Sequence, residues 1–231
     1  MNIKGIHKTS LIDYPGKICS ILFTGGCNLR CKYCHNPDLA CNNWNLKTLS
    51  NEETLTFIRN RKELIDGISI SGGEPTLAKN IADFVKSIKE ISLAVKIDTN
   101  GLNPDVIEKL LKRDLLDYVA IDIKTSPEKY EFLTNRKIYF PHIKETVDLV
   151  RDSGVDYELR TTCIPHFVTL EDLSSIKEEI GHVKKYYLQQ FVNENTLDPS
   201  FAFYKPYPPH VLISYREYVK TFAEICEVRG I

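Results

Sequence analysis

Six short hydrophobic runs, each followed by a segment with helical spacing, constrain the fold of this 231-residue chain more than any other feature. Strands that alternate with helices favour a parallel sheet, and wholly hydrophobic strands suit a sheet covered on both faces. A closed eight-stranded barrel takes about 250 residues, and this chain offers six units. We therefore predict an α/β fold, a partial (β/α)6 barrel, with an open doubly wound sheet as the alternative. The predicted strands span residues 19–23, 67–71, 93–97, 118–123, 157–163 and 186–191.

The ends of the predicted helices carry recognisable signals. Ser50 and Glu53 form a capping box before the first long helix, Pro104 stands near the start of another, and Gly154 follows a third. The helices are predicted around residues 55–65, 77–91, 104–111, 143–150, 169–180 and 211–228, and residues 193–209 are predicted as a long irregular loop.

Composition indicates a soluble globular protein, which we interpret as a single domain over residues 1–231. Hydrophobic residues make up 42% of the chain and charged residues 26%, enough for a substantial core. The formal net charge of −1 gives no sign of binding to nucleic acid or to a membrane surface. No apolar run approaches the roughly 18 residues of a membrane span, and the N-terminus does not lead into a signal-peptide core. We therefore expect a cytoplasmic protein with reduced thiols.

Three of the seven cysteines, Cys27, Cys31 and Cys34, stand in one C-x3-C-x2-C loop. Three thiolates are one fewer than a closed four-coordinate metal site requires, and on a [4Fe–4S] cluster they leave one iron open to an outside ligand. Zinc with His35 as a fourth ligand, and buried structural cysteines, are the alternatives. The odd number of cysteines and the expected reducing compartment disfavour a disulfide framework.

The other four cysteines are scattered along the chain and offer no second cluster. We predict that Cys19, Cys41, Cys163 and Cys226 are small buried hydrophobic residues. Cys41 and Trp44 stand just past the cysteine loop, where we expect them to shield it.

Polar residues follow nearly every predicted strand at its C-terminal end, which is where barrel enzymes carry their chemistry. Each short motif alone is explained by turn chemistry. Their joint occurrence at one predicted rim instead indicates an active site. The polar residues are Gly72, Gly73 and Glu74 after the second strand, Asp98, Thr99 and Asn100 at the third, Asp122 and Lys124 at the fourth, Arg160 on the fifth, and Gln189 and Gln190 on the sixth.

Together these motifs resemble the radical S-adenosylmethionine (SAM) superfamily over nearly the whole chain, which implies a partial (β/α)6 barrel of the radical SAM type. More narrowly, the chain is similar to the activating proteins of anaerobic ribonucleoside-triphosphate reductases, which are relatives of pyruvate formate-lyase activase. The segments that carry this likeness are KTSLIDYPGK at 8–17, FTGGCN at 23–28, YCHNP at 33–37 and LQQF at 188–191.

The resemblance also implies roles for individual residues. Cys27, Cys31 and Cys34 hold a [4Fe–4S] cluster, and the methionine amino and carboxylate groups of SAM complete the open iron. Asp13 matches an acidic residue that faces the glycine loop of the target protein. In the activase relatives, a monovalent cation can be held beside the methionine moiety by the counterparts of Asp98 and Asp122. The residues implied to surround SAM are Tyr33, Gly72, Gly73, Glu74, Asp98, Thr99, Asn100, Asp122, Lys124 and Arg160.

The implied reaction is reductive. An electron from a low-potential donor such as flavodoxin or ferredoxin cleaves SAM into methionine and a 5′-deoxyadenosyl radical, which abstracts a hydrogen atom from the substrate. The implied substrate is a glycyl-radical enzyme, anaerobic ribonucleotide reductase, whose glycine loop would enter through a lateral opening of the barrel. Pyruvate formate-lyase activases carry a His near the end of the sixth strand, and residues 191–194 contain none. The alternative is a radical SAM enzyme acting on a small molecule, similar to 7-carboxy-7-deazaguanine synthase.

Overall fold

The computed structural model describes residues 1–43 and 45–231, so the prediction for Trp44 lies outside the described residues. Eight strands form one sheet in sequence order. Strands β2 to β8 run parallel, β1 pairs antiparallel with β2, and the two edge strands do not pair, so the barrel is partial and unclosed along the described residues. The strands are β1 Ile3–Ser10, β2 Cys19–Thr24, β3 Gly67–Gly72, β4 Ala94–Thr99, β5 Tyr118–Asp122, β6 Asp156–Cys163, β7 Val183–Gln190 and β8 Ala223–Arg229.

Helices cover the outer face of the sheet between successive strands. The Ser50 capping box is confirmed, because Ser50 Oγ accepts from the Glu53 N–H and the Glu53 carboxylate accepts from the Ser50 N–H. No helix in the described ranges is long and apolar enough to span a bilayer. The helices are α1 Pro37–Ala40, α2 Asn51–Arg61, α3 Ile81–Lys89, α4 Pro104–Leu111, α5 Pro127–Thr134, α6 Phe140–Ser153, α7 Leu170–Ile180 and α8 Pro209–Val219.

The predicted α/β partial barrel is confirmed, and its six predicted strands correspond to β2 through β7. The two edge strands, β1 and β8, were not predicted. The helix predicted at 211–228 is wrong beyond Val219, because the chain turns there and returns as β8. That strand satisfies the backbone groups along β7, which would otherwise form an open edge.

Two smaller predictions are also wrong. The helix predicted from residue 77 begins at Ile81, because Pro75–Leu77 forms a separate 3₁₀ turn ahead of it. Cys41 is exposed, because it caps the C-terminus of the short helix α1 at the surface. Cys19, Cys163 and Cys226 are buried as predicted.

The strand pleat separates an apolar outer face from a polar barrel interior. In β4, Val95 and Ile97 are buried in the core between sheet and helices, whereas Lys96 and Asp98 form an ion pair on the other face. A small cluster that includes Tyr14 and Tyr118, with ring centroids 5.8 Å apart, packs at the opposite end of the barrel from the strand C-termini. The chain thus concentrates its interior polar groups toward the C-terminal rim.

A pair of substitutions tests the unpredicted strand β8. Cys226 is buried and Ile225 is 43% exposed, as expected for neighbours on opposite faces of a strand. Cys226→Asp should lower the free energy of unfolding by about 3 kcal/mol or more, because it buries an unpaired charge. Ile225→Asp should cost about 1 kcal/mol or less, since its side chain reaches solvent. Urea unfolding measures both, and equal losses would contradict the assignment.

Candidate active site at the strand ends

One cleft of about 280 Å³ at the C-terminal rim collects residues that are widely separated in sequence. Every predicted site residue except Asp13 lines it. Gln189 also faces this cleft, whereas Gln190 points the other way and donates to the Tyr207 carbonyl at 2.7 Å. The predicted residues that line the cleft are Cys27, Cys31, Tyr33, Cys34, Gly72, Gly73, Glu74, Asp98, Thr99, Asn100, Asp122, Lys124 and Arg160.

The cysteine loop is anchored to the C-terminal end of α5. The Arg30 N–H donates to the Thr134 carbonyl at 2.8 Å, and the Lys32 N–H donates to the Leu133 carbonyl at 3.0 Å. The Arg30 guanidinium also donates to the Cys27 carbonyl at 2.7 Å, which closes the loop on itself. These bonds fix the backbone that carries the thiols.

The three loop thiols are free and lie along the cleft. Burial raises the pKa of each thiol, and that of Cys31, which is the most deeply buried, rises to about 12. Bound metal must therefore displace protons from them. The Leu29 N–H lies 3.4 Å from the Cys27 sulfur, a donor placement that suits a metal-bound thiolate.

The donor set suits a multi-iron cluster. Along residues 1–43 and 45–231, no three His, Cys, Asp or Glu side chains are grouped to hold a single metal ion. A [4Fe–4S] cluster is ligated at separate irons, so its cysteines need not converge on one point. His35, the fourth ligand of the zinc alternative, places its Nδ1 3.0 Å from the Glu194 carbonyl oxygen.

Glu74 is fully buried, and its hydrogen bonds connect the ends of three strands. Its Oε1 accepts from the hydroxyls of Thr76 at 2.6 Å and Thr99 at 2.8 Å, and its Oε2 accepts from the Asn100 N–H at 2.7 Å. Its own N–H donates to the Gly26 carbonyl at 2.8 Å. Burial raises the pKa of this carboxyl, and the donated hydrogen bonds oppose that rise.

Gly72 and Gly73 let the end of β3 pass against the cysteine loop. Gly72 has a φ of +111°, in the region that favours glycine, and a Cβ there would lie 2.5 Å from the Thr24 nitrogen. A Cβ on Gly73 would lie 2.0 Å from the Gly26 carbonyl oxygen, which is backbone and cannot rotate away. The glycine pair is therefore required by chain packing.

An ion-pair network spans the barrel interior beneath the cleft. Arg160 bridges two carboxylates, with Nε 2.7 Å from Asp122 Oδ1 and Nη1 3.3 Å from Asp98 Oδ2. Lys124 lies 3.1 Å from the other Asp122 oxygen. Although burial acts to raise it, the positive charges of Arg160 and Lys124 hold the pKa of Asp122 well below its ordinary value. Burial likewise acts to raise the pKa of Asp98, and the charges of Arg160 and Lys96 lower it below its ordinary value. Both carboxylates therefore stay ionised near neutral pH.

Asp13 lies outside the cleft and lines a second cavity of about 550 Å³. Arg160 and Gln189 line both cavities, so the two spaces adjoin. Sequence reasoning missed the polar residues within strands that complete this second cavity. Two of them could have been found, because Lys96 and Glu158 stand two residues before Asp98 and Arg160 and so share a strand face with them. The third lies on the unpredicted strand β8 and offered no such signal. The missed residues are Lys96, Glu158 and Arg229.

Residues 21–180 match the radical SAM superfamily, about two thirds of the chain. The chain belongs to the radical SAM superfamily. A protein of Methanocaldococcus jannaschii, named as a proposed glycyl-radical enzyme activating enzyme, is 36% identical over 86% of this chain and 83% of its own length. The pyruvate formate-lyase-activating enzyme of Clostridium pasteurianum is 32% identical over 79% of each chain.

Solved structures share the fold at low sequence identity. SuiB of Streptococcus suis bound to S-adenosylmethionine superposes with a TM-score of 0.65 and 16% identity, over 88% of this chain. This chain spans about half the length of SuiB, since it covers 48% of that protein. TYW1 with a lysine–pyruvate adduct gives a TM-score of 0.60 over 89% of this chain and 74% of its own.

Superfamily membership implies a [4Fe–4S] cluster and SAM. Three free thiols on one anchored loop fit such a cluster, and no fourth cysteine lines the cleft among the described residues. The cleft also offers a buried phenol, Tyr33 Oη, that lacks a hydrogen-bond partner within the described chain. The residues present therefore fit both groups.

The close approach at Gly73 gives a direct test of the cleft geometry. Gly73→Ala should displace the cysteine loop, reducing iron and sulfide content after anaerobic reconstitution and costing about 2 kcal/mol of stability. Gly5→Ala is the control, because a Cβ there meets nothing closer than 3.9 Å. A Gly73→Ala protein that loads iron and unfolds like the parent would contradict the described approach.

Proposed function

We propose that this chain is a radical SAM activase that installs a glycyl radical on an anaerobic ribonucleotide reductase. The proposal includes a cytoplasmic location and a low-potential electron donor such as flavodoxin or ferredoxin. The similarity to proteins named as glycyl-radical enzyme activating enzymes, at 32–36% identity over most of the chain, supports the activase reaction. The second cavity beside the cleft is the observation that carries the choice of a protein substrate.

The second cavity suits a polypeptide segment because its rim is apolar and exposed. Ile12 lines the cavity and is 85% exposed, and its neighbour Leu11 is 72% exposed. Exposed hydrophobic residues beside a polar pocket are typical of protein-binding surfaces. Strands β1 and β8 do not pair with each other and leave this side of the barrel open, so a loop of a partner protein has a route toward Arg160.

The proposed roles of the chain's own residues follow from their places in the cleft. The bound cluster and SAM supply one-electron cleavage of SAM and abstraction of a hydrogen atom from the target glycine. Cys27, Cys31 and Cys34 would hold three irons of the cluster. The Gly73–Glu74 backbone, beside Asn100, would border the amino group of SAM. The remaining residues proposed to surround SAM are Tyr33, Gly72, Asp98, Thr99, Asp122, Lys124 and Arg160.

The resemblance of residues 8–17, 23–28, 33–37 and 188–191 supports the reductase as the target, and the end of β7 argues against pyruvate formate-lyase. Pyruvate formate-lyase activases resembling this chain carry a His there, whereas Phe191 is followed by Val192, Asn193 and Glu194. The Asn193 side chain instead donates to the Ala202 carbonyl at 2.9 Å, within the segment between β7 and α8. This departure favours a glycyl-radical enzyme other than pyruvate formate-lyase.

Electron paramagnetic resonance on the reduced protein, mixed anaerobically with SAM and the anaerobic ribonucleotide reductase of the same source, tests the proposal. A glycyl-type doublet should grow on the reductase and require both SAM and the activase. SAM cleavage without a doublet on the reductase would reject this target. Cleavage that responds to a metabolite and not to any protein would instead support the small-molecule alternative.

Asp13 is proposed to contact the target loop, and a conservative change separates that role from cofactor binding. Its carboxylate accepts a hydrogen bond from Ser10 Oγ and lines the second cavity, away from the cysteine loop. Asp13→Asn should leave SAM cleavage with a chemical reductant unchanged and slow glycyl-radical formation at least about tenfold, equivalent to about 1.4 kcal/mol. Asp105→Asn, on the exposed first turn of α4, is the charge-matched control. Equal radical yields in both variants would contradict the role.

A further inference from the structure

Lys96 is a buried lysine in the middle of the barrel wall. Its side chain is 2% exposed and its ammonium group contacts the Asp98 carboxylate at Oδ1. Lys96 and Asp98 are two residues apart on β4, so both side chains face the barrel interior. Burial of a lysine requires a nearby anion, and Asp98 supplies it.

All four oxygens of the two interior aspartates are already paired with cations of the chain. Asp98 pairs with Lys96 through Oδ1 and with Arg160 through Oδ2. Asp122 pairs with Arg160 through Oδ1 and with Lys124 through Oδ2. A metal ion between these carboxylates would meet the Arg160 guanidinium that bridges them. The monovalent cation expected beside Asp98 and Asp122 therefore does not fit this interior.

We propose that the Lys96 ammonium takes the place of that cation as a permanent positive charge built into the chain. It neutralises Asp98 beside the proposed methionine end of SAM and keeps the Asp98–Arg160–Asp122 network in one arrangement. Lys96 is thus a positioning residue, since it lines the second cavity and acts on the cleft through Asp98. SAM binding is then independent of potassium or sodium.

The hydrogen bonding of Asp98 explains why the position matters. Without Lys96, Asp98 Oδ2 keeps Arg160 but the buried Oδ1 loses its cationic partner, and a buried polar atom left without a partner is unfavourable. The space left by the ammonium lies next to that oxygen, so a small monovalent cation can enter and coordinate it. Loss of Lys96 should therefore convert a cation-independent protein into a cation-dependent one.

The parent protein provides a test that needs no substitution. The SAM dissociation constant is measured on the anaerobically reconstituted protein in potassium, sodium and tetramethylammonium chloride at equal ionic strength. The three values should agree within about twofold, because the Lys96 ammonium already occupies the position and no cation need enter. Tetramethylammonium is too large to enter the network, so it serves as the cation-free reference at matched ionic screening. Binding at least about tenfold weaker in tetramethylammonium than in potassium would overturn the proposal.

Lys96→Met supplies the complementary test, because it removes the charge and keeps an unbranched side chain. SAM should bind about tenfold more weakly in tetramethylammonium, with affinity recovered in potassium or sodium. Lys185→Met is the matched control, since Lys185 is a half-buried strand lysine paired with Asp156 outside the cleft. Parent-like affinity in every salt, or a loss that no cation relieves, would overturn the role.

These measurements rest on SAM binding, which superfamily membership implies, and they use no protein substrate. Failure of the ribonucleotide reductase to acquire a radical would not affect the measured cation dependence of SAM binding. Conversely, cation-dependent SAM binding by the parent protein would reject the role of Lys96 and would not bear on the proposed reductase target. The two proposals can therefore fail separately.

Discussion

The buried carboxylate of Glu74 is the interaction on which the cleft depends. It accepts hydrogen bonds from Thr76, which follows β3, and from Thr99 and Asn100 at the end of β4, while its N–H donates to Gly26 in the cysteine loop. Three neighbouring strand ends are thereby held together at the rim. Each donor would be costly to bury without an acceptor, so the loops and the carboxylate stabilise one another. A residue whose backbone is proposed to border SAM thus also holds the site together through its side chain.

The barrel interior below Glu74 is unusual, because charged side chains occupy positions where layers of hydrophobic side chains are common in barrels. Asp98, Asp122 and Glu158 face Lys96, Lys124, Arg160 and Arg229 across the unclosed sheet. The second cavity reaches this network from the open side of the barrel, and the cleft reaches it from the cysteine loop. Arg160 therefore stands where a cofactor site and a substrate route would meet.

Much of this arrangement could be predicted from sequence because the decisive signals are local. The six hydrophobic strands and the polar residues directly after them were visible as runs, and parallel strands bring such ends to one rim. The edge strands were not visible in this way, because β1 has few hydrophobic residues and ends in four consecutive polar ones at 7–10, and β8 follows a helix without a strong break. The pairing of Lys96 with Asp98 and of Glu158 with Arg229 also escaped prediction. Those contacts depend on strand register and on which face each residue takes, and no short motif records either.

Every role assigned to the cleft requires that Cys27, Cys31 and Cys34 hold a [4Fe–4S] cluster with one iron open toward it. Electron paramagnetic resonance of the reduced, anaerobically reconstituted protein before and after addition of SAM tests this requirement. We expect about four irons per chain and a reduced-cluster spectrum that shifts when SAM is added, because SAM would complete the open iron. Protein that holds one zinc and no iron, or a cluster spectrum that SAM leaves unchanged, would contradict it.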